Sequence, residues 1–206
     1  MKILIATENL HKLQELKQIL PEKSKSGKTL HYVSLKDFDN LHLPAETGKT
    51  LEENAAIKAL YAAKATGLIA ISDDTGLEVE ALNGNPGVHT ARYAGENASS
   101  EDNNRKLLNA LGDSHLPQRV ARFRTVACLA TPQGETCFFE GVLEGHIGFG
   151  YRGRNGFGYD PIFMVEDGQK ALAELTETQK NKISHRGRAF KKLAVQLTSI
   201  PDNRSK

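Results

Sequence analysis

Residues 2–6 make a short apolar run that breaks at Thr7-Glu8-Asn9, after which Leu10, Leu13, Leu16, Ile19 and Leu20 recur at helical spacing. The run predicts a buried strand, and the recurrence predicts an amphipathic helix over residues 9–20. A polar, glycine-containing stretch at 23–28 reads as a loop and 31–35 as a second strand. Thr50-Leu51-Glu52-Glu53 has the form of a capping box, with Thr50 at the helix start and Glu53 at its third position. That helix runs through an alanine-rich segment to Thr66 and stops at Gly67. Residues 69–72 read as a short buried strand, 77–80 as renewed extended structure, and Asn83-Gly84-Asn85-Pro86-Gly87 as a turn cluster. A helix is expected at 100–111, ending at Gly112, then two long strands at 120–131 and 135–147 joined by a turn at Pro132-Gln133-Gly134. A glycine-rich loop spans 148–158. Two helices close the chain, one near Thr176 and one over 186–199, where Phe190, Leu193, Ala194, Leu197 and Ile200 share a face. The tail 201–206 is polar and is expected to fray.

Strands and helices alternate at first and a long hairpin follows. The fold class predicted is therefore α/β: a mixed central sheet with flanking helices, the hairpin forming a second lobe. A cleft between two lobes is where a ligand is expected. Neither an internal repeat nor a long linker divides the sequence, so residues 1–206 read as a single domain.

Composition narrows the function classes only a little. With 39% hydrophobic and 25% charged residues the chain is ordinary for a globular protein. A net charge of +2 is too small to call for a nucleic-acid partner, and none is expected. Cys128 and Cys137 are too few for a disulfide framework and read as buried small apolar residues. No stretch approaches the roughly 18 apolar residues of a membrane span, and the opening run is too short for a secretory signal. No membrane association and a cytoplasmic location are the expectations.

Chemistry is suggested at five places. Thr7-Glu8-Asn9-Leu10-His11-Lys12 lies where the first strand gives way to the first helix, a junction whose free amides and positive dipole end attract phosphate. It lacks the glycine and lysine pattern of a P-loop. Ser72-Asp73-Asp74-Thr75-Gly76 ends a short apolar strand, where adjacent carboxylates are costly unless hydrogen-bonded, solvated or binding a cation. Mg²⁺ takes such oxygens together with substrate phosphates. Glu46-Thr47-Gly48 precedes the capped helix and offers Glu46 as a second metal ligand; Lys58, further along that helix, is placed to face phosphate. Gly153-Arg154-Asn155-Gly156-Phe157-Gly158-Tyr159-Asp160-Pro161 combines glycines that admit close approach with aromatic faces on which a base can stack. Ser184-His185-Arg186-Gly187-Arg188 puts cationic donors at a helix start, against the dipole, with Lys180 just upstream. Each segment alone could be a cap, a solvated charge or an anchored loop.

Their order along one chain is more specific. Thr7-x-Asn9-x-x-Lys12, Glu46-Thr47-Gly48 with Glu53-Asn54-Ala55, Ser72 to Leu77, Gly84-x-Pro86-Gly87 with Ala91-Arg92-Tyr93, Gly156 to Phe163, and Ser184-His185-Arg186-Gly187 together resemble the inosine triphosphate pyrophosphatase family, the Ham1-like pyrophosphatases of non-canonical purine nucleotides. The resemblance spans residues 3 to about 197. It implies a two-lobed α/β fold, a homodimer, dependence on Mg²⁺, and hydrolysis of ITP, dITP or XTP between the α and β phosphates. It further implies that Thr7, Glu8, Asn9, Leu10, His11 and Lys12 form the triphosphate-binding turn. Asp74 matches the proton acceptor and metal ligand, with Glu46 as a further ligand, Asp73 beside it and Thr75 touching substrate. Phe157, Gly158, Tyr159, Asp160, Lys180, His185 and Arg186 match the nucleoside-binding positions. The choice of base among Asp73, Asp74 and a metal-activated water stays open. Two departures are visible: Glu8 stands where small residues are common, and Arg152 and Arg154 add charge before Phe157.

Two rival readings remain. A Maf-like nucleotide pyrophosphatase would share the reaction but leave the Ser184–Gly187 motif without a purpose. A nucleic-acid-binding module would instead use Arg119, Arg122, Arg124, Arg186, Arg188, Lys191 and Lys192 as a basic patch, opposed by the aspartates.

Overall fold

The structure is a computed structural model that describes residues 1–200; the tail 201–206 lies outside the described residues. The chain runs β1 (Lys2–Ile5), α1 (Leu10–Ile19), β2 (His31–Ser34), α2 (Leu51–Thr66), β3 (Ile69–Val79), β4 (Pro86–Gly87), α3 (Ser100–Leu111), β5 (Val120–Ala130), β6 (Thr136–Ile147), β7 (Phe163–Val165), β8 (Lys170–Ala171), α4 (Glu177–Ile183) and α5 (His185–Ser199). It is a mixed α/β fold. β1 pairs in parallel with β2 and β3, whereas β3/β4, β6/β7 and β7/β8 are antiparallel.

Two compact units divide the chain. The first holds Met1–Asp73, Val126–Glu140 and residues 189–200; the second holds Asp74–Thr125 and Gly141–Arg188. The long hairpin was expected to be a lobe of its own. Instead its turn end lies in the first unit and the open ends of both strands lie in the second. A strand about 11 residues long spans more than one small core at about 3.3 Å per residue, so one hairpin serves both.

In the first unit the strand order is β2-β1-β3-β5-β6. One face is covered by Leu16, Leu20, Phe190, Leu193 and Leu197, which bury Ile3, Ile5 and Ile71. The other face meets α2 through Ala55, Ala59, Ala62 and Ala63, all fully buried against Leu4, Ala70, Cys128 and Ala130. Alanine keeps the helix axis close to the sheet at no rotamer cost. Thr50 caps α2 by accepting from the Glu53 amide, and Gly67 ends it at φ 68°, where a side chain would be strained. Glu53 does not close the expected capping box on Thr50. Its carboxylate accepts from the Lys49 amide one residue earlier. Leu10, assigned to the apolar stripe of α1, is exposed in the first turn of that helix. Cys128 is buried, which pushes its thiol up to about 12, but Cys137 is exposed rather than buried as expected, as is its neighbour Phe138 near the turn end of β6.

In the second unit Leu77, Val79, Leu107, Leu111, Phe123, Ile147, Tyr159 and Phe163 form one core. Ser99 and Asp102 close a reciprocal capping box on α3. The largest difference from expectation is β3. Ser72-Asp73-Asp74-Thr75-Gly76 does not end a short strand; the strand runs unbroken through it. Poor intrinsic strand formers are held extended inside a largely buried strand that pairs with β1 before them and with β4 after them, an override of propensity by context.

Candidate active site

Asn9 starts the first group of side chains. It caps α1, its side-chain oxygen accepting from the His11 and Lys12 amides at 2.9 and 3.1 Å, while Thr7 Oγ1 accepts from the Asn9 amide at 3.2 Å. Two of the helix-start amides expected to face phosphate are therefore taken by Asn9. Lys12 points back to the strand, its Nζ 3.0 Å from Asp73 Oδ2. Glu8, Leu10 and His11 are exposed. On α2, Lys58 is buried and forms an ion pair with Glu46. The Gly48 amide donates to Asn54 Oδ1 at 2.8 Å, fixing the loop that carries Glu46. A Cβ at Gly48 would lie 2.6 Å from that same oxygen, so only glycine fits. Within the first unit, then, two of the carboxylates proposed from sequence each face a lysine.

The second group lies in the second unit. Asp74 is buried, 7% exposed, and is followed by Thr75. Consecutive strand residues face opposite sides of a sheet, so Asp73 and Asp74 do not present their carboxylates together. Arg186, 2% exposed at the start of α5, donates from Nη2 to Thr75 Oγ1 at 3.2 Å. Its Cζ lies 5.6 Å from the centre of the Phe157 ring, and Lys180 Nζ lies 4.7 Å from it. Lys180 forms a buried ion pair with Asp160 at 2.6 Å. Asp160 Oδ2 also accepts from the Phe157 amide at 2.8 Å, so one carboxylate sets both the loop and the cation beside it. Gly156, at φ 76°, makes this possible: a Cβ there would lie 2.1 Å from Asp160 Oδ2. Tyr159 offers no stacking face. Its ring is in the core and its hydroxyl donates to Thr90 O at 3.0 Å, burial raising the phenol well above its usual range. Gly187 is likewise obligatory, since a Cβ would lie 2.1 Å from Asn181 O.

Four residues of the second unit were not singled out from sequence as belonging to this group. Phe123 stacks on His185 with centroids 4.5 Å apart and rings inclined by 19°. Thr125 Oγ1 lies 2.7 Å from Thr75 Oγ1. Asn104 donates to Gly158 O at 3.0 Å. Arg119 is buried and donates to Ile147 O and Gly148 O, both at 2.9 Å, holding the beginning of the glycine-rich loop. A polar residue at an inward position of an apolar strand was the available signal for Thr125. The basic patch of the rival reading loses members here. Arg119 and Arg186 are buried, Arg122 pairs with Glu78 at 2.7 Å, and Arg188 and Lys192 donate to Val142 O and Glu140 O. Arg152, a departure from the expected pattern, bonds Glu174 at 3.0 Å and Gln169 O at 2.8 Å, so its charge braces the loop.

Among the described residues no three His, Cys, Asp or Glu side chains are assembled as a ready metal cage. No helix among them is long and apolar enough to cross a membrane.

An aromatic face flanked by two buried cations, in a mixed α/β protein, is chemically suited to an anionic aromatic ligand of the nucleotide type. Residues 3–196 match the Ham1 family. A dITP/XTP pyrophosphatase of Elusimicrobium minutum is 60% identical over 197 residues, covering 96% of this chain and all of that protein. One of Exiguobacterium sibiricum is 46% identical over 201 residues, covering 97% and 98%. The solved structure of a HAM1 protein from Coxiella burnetii superposes with a TM-score of 0.84 at 40% identity, covering 97% of this chain and 100% of that one. The chain belongs to the Ham1 family.

Proposed function

We propose that this protein hydrolyses non-canonical purine nucleoside triphosphates, ITP, dITP and XTP, to the monophosphate and pyrophosphate. The observation that carries the reading is the bond from Arg186 to Thr75. It ties the stacking face of Phe157 to the residue next to Asp74 within one unit. Relatives named as dITP/XTP pyrophosphatases over nearly the whole chain support the same substrate class.

In this reading the base stacks on Phe157. Hypoxanthine and xanthine present a 6-oxo acceptor, which the donors of Arg186 and His185 match. Adenine presents a 6-amino donor, and setting donor against donor leaves buried polar groups unsatisfied. Guanine shares the 6-oxo group, so its 2-amino group must be what fits poorly. Lys12 and Lys58 take phosphate oxygens, Thr7 and Asn9 order the turn, and Asp74 accepts the proton of the attacking water.

Mg²⁺ fits the donor set, because Asp74 and Glu46 offer hard carboxylate oxygens and Mg²⁺ commonly binds through one or two of these plus substrate phosphate. Asp73, held by Lys12, is the further acidic candidate. When bound, the ion would neutralise phosphate charge and polarise a phosphoryl oxygen. We place the enzyme in the cytoplasm as a homodimer, the hairpin of residues 120–147 or the surface around 84–93 contributing the contact. The exposed Phe138 on that hairpin supports the first choice.

The test is to incubate the protein with ITP, XTP, GTP and ATP, with Mg²⁺ or with a chelator, and to identify the products by phosphorus NMR. Inosine monophosphate with pyrophosphate is expected, with Mg²⁺ only. Diphosphate with inorganic phosphate overturns the reading.

A further inference from the structure

Thr125 lies in the second unit, fully buried on β5, on the same inward row as Phe123 and Ala121. Its hydroxyl serves no backbone cap or turn; its oxygen is 2.7 Å from Thr75 Oγ1. Thr75 Oγ1 also receives the Arg186 guanidinium at 3.2 Å. Arginine has donors and no acceptors, so this second bond has one direction only, and a threonine oxygen has two lone pairs and one proton to distribute. A valine at 125 would fill the same space and pack as well in an apolar core. A threonine there costs desolvation of its hydroxyl unless that hydroxyl is bonded. The bond it makes ends on the residue that follows Asp74. Phe123, two residues earlier on the same face, meets His185, the neighbour of Arg186. One face of β5 therefore supports both residues at the start of α5, one directly and one through Thr75.

We propose that Thr125 is a positioning residue for the reaction. By bonding Thr75 Oγ1 it fixes the rotamer of Thr75, and through Thr75 the place of the Arg186 guanidinium. This rests on the proposed pyrophosphatase reading. It adds to that reading that the ability of Thr75 and Arg186 to meet substrate depends on a hydroxyl that touches none.

The experiment compares Thr125→Val and Thr125→Ser with the wild type, alone and combined with Thr75→Ala, by steady-state kinetics on ITP alongside thermal melting. Loss of one buried hydrogen bond predicts a fall of about tenfold in kcat/KM for Thr125→Val. Thr125→Ser, which keeps the hydroxyl, should stay within about threefold, a difference that a lost methyl contact produces on its own. In the Thr75→Ala background Thr125→Val should add less than about twofold, since residues acting through one bond are not additive. If Thr125→Val does not fold, Thr125→Ser against Thr125→Ala replaces it, with the same expected order. The inference is overturned if Val and Ser fall equally, if Val stays within twofold of the wild type, or if the Thr75→Ala and Thr125→Val losses multiply. A wild type that releases no pyrophosphate from ITP overturns the pyrophosphatase reading instead, before any variant is compared.

Discussion

Replacing Asp74 with asparagine keeps the side chain's shape and removes its negative charge and its capacity to take a proton. A positioned general base contributes about 10²–10⁴ in rate, so kcat for ITP should fall by at least about a hundredfold while the melting temperature changes little. Turnover near the wild-type value at saturating Mg²⁺ would move the base elsewhere. Asp73 is the poorer choice because its carboxylate faces Lys12 at 3.0 Å on the opposite side of the strand. Arg186 tests base selection. Arg186→Ala should remove most ITP hydrolysis, by about a hundredfold or more where a buried donor matched to a substrate acceptor is lost, and change any ATP hydrolysis little. Equal losses for ITP and ATP would assign Arg186 to phosphate binding or folding. Tyr159 carries a pH effect. Burial raises its phenol in the folded state, as it raises Tyr32 to about 12. The neutral form is the one folding favours, so this stability is complete below the unfolded value of about 10 and is lost as pH rises through the folded one. Tyr159→Phe should cost about 1 kcal/mol at neutral pH through its lost bond to Thr90 O, yet lose less than the wild type between pH 10 and 11. Parallel melting curves across that range would count against it.

Among the elements, α2 was the most legible. Thr50 and Gly67 marked both ends, and both act at the ends as caps. Thr50→Ala should therefore cost about 1 kcal/mol, read as an earlier urea midpoint with an unchanged slope. β3 was legible only in part, because the aspartates and Gly76 argue locally for a turn while burial, with paired strand before and after them, keeps them extended. β7 and β8, at three and two residues, were missed, being too short to show alternation. The site divided in the same way. Charged residues such as Lys12, Asp74 and Arg186 could be proposed as candidates from sequence by their chemistry alone. Tyr159 was marked for its ring, which the core absorbs, and Thr125, Phe123 and Asn104 were passed over because their part depends on neighbours distant in the chain.

For the whole molecule, the mixed α/β class followed from the early alternation of apolar runs and helical spacing. The distribution of the hairpin between two units did not, since period-two patterning specifies a face but not which core the face serves. Assembly is tested at this scale. A chain of 22.6 kDa that pairs should scatter light as a particle of twice that mass at micromolar concentration, and a monomeric mass there would remove the homodimer. The discontinuity of the first unit bears on biosynthesis. A polypeptide leaves the ribosome from its amino end, and the second unit has all its residues once Arg188 has emerged. The first unit, although it begins at Met1, needs Phe190, Leu193 and Leu197 to cover Ile3, Ile5 and Leu16. β1 thus waits for α5. During that interval its bare apolar surface is what a chaperone would bind, and a chain cut short before Phe190 would leave β1 uncovered.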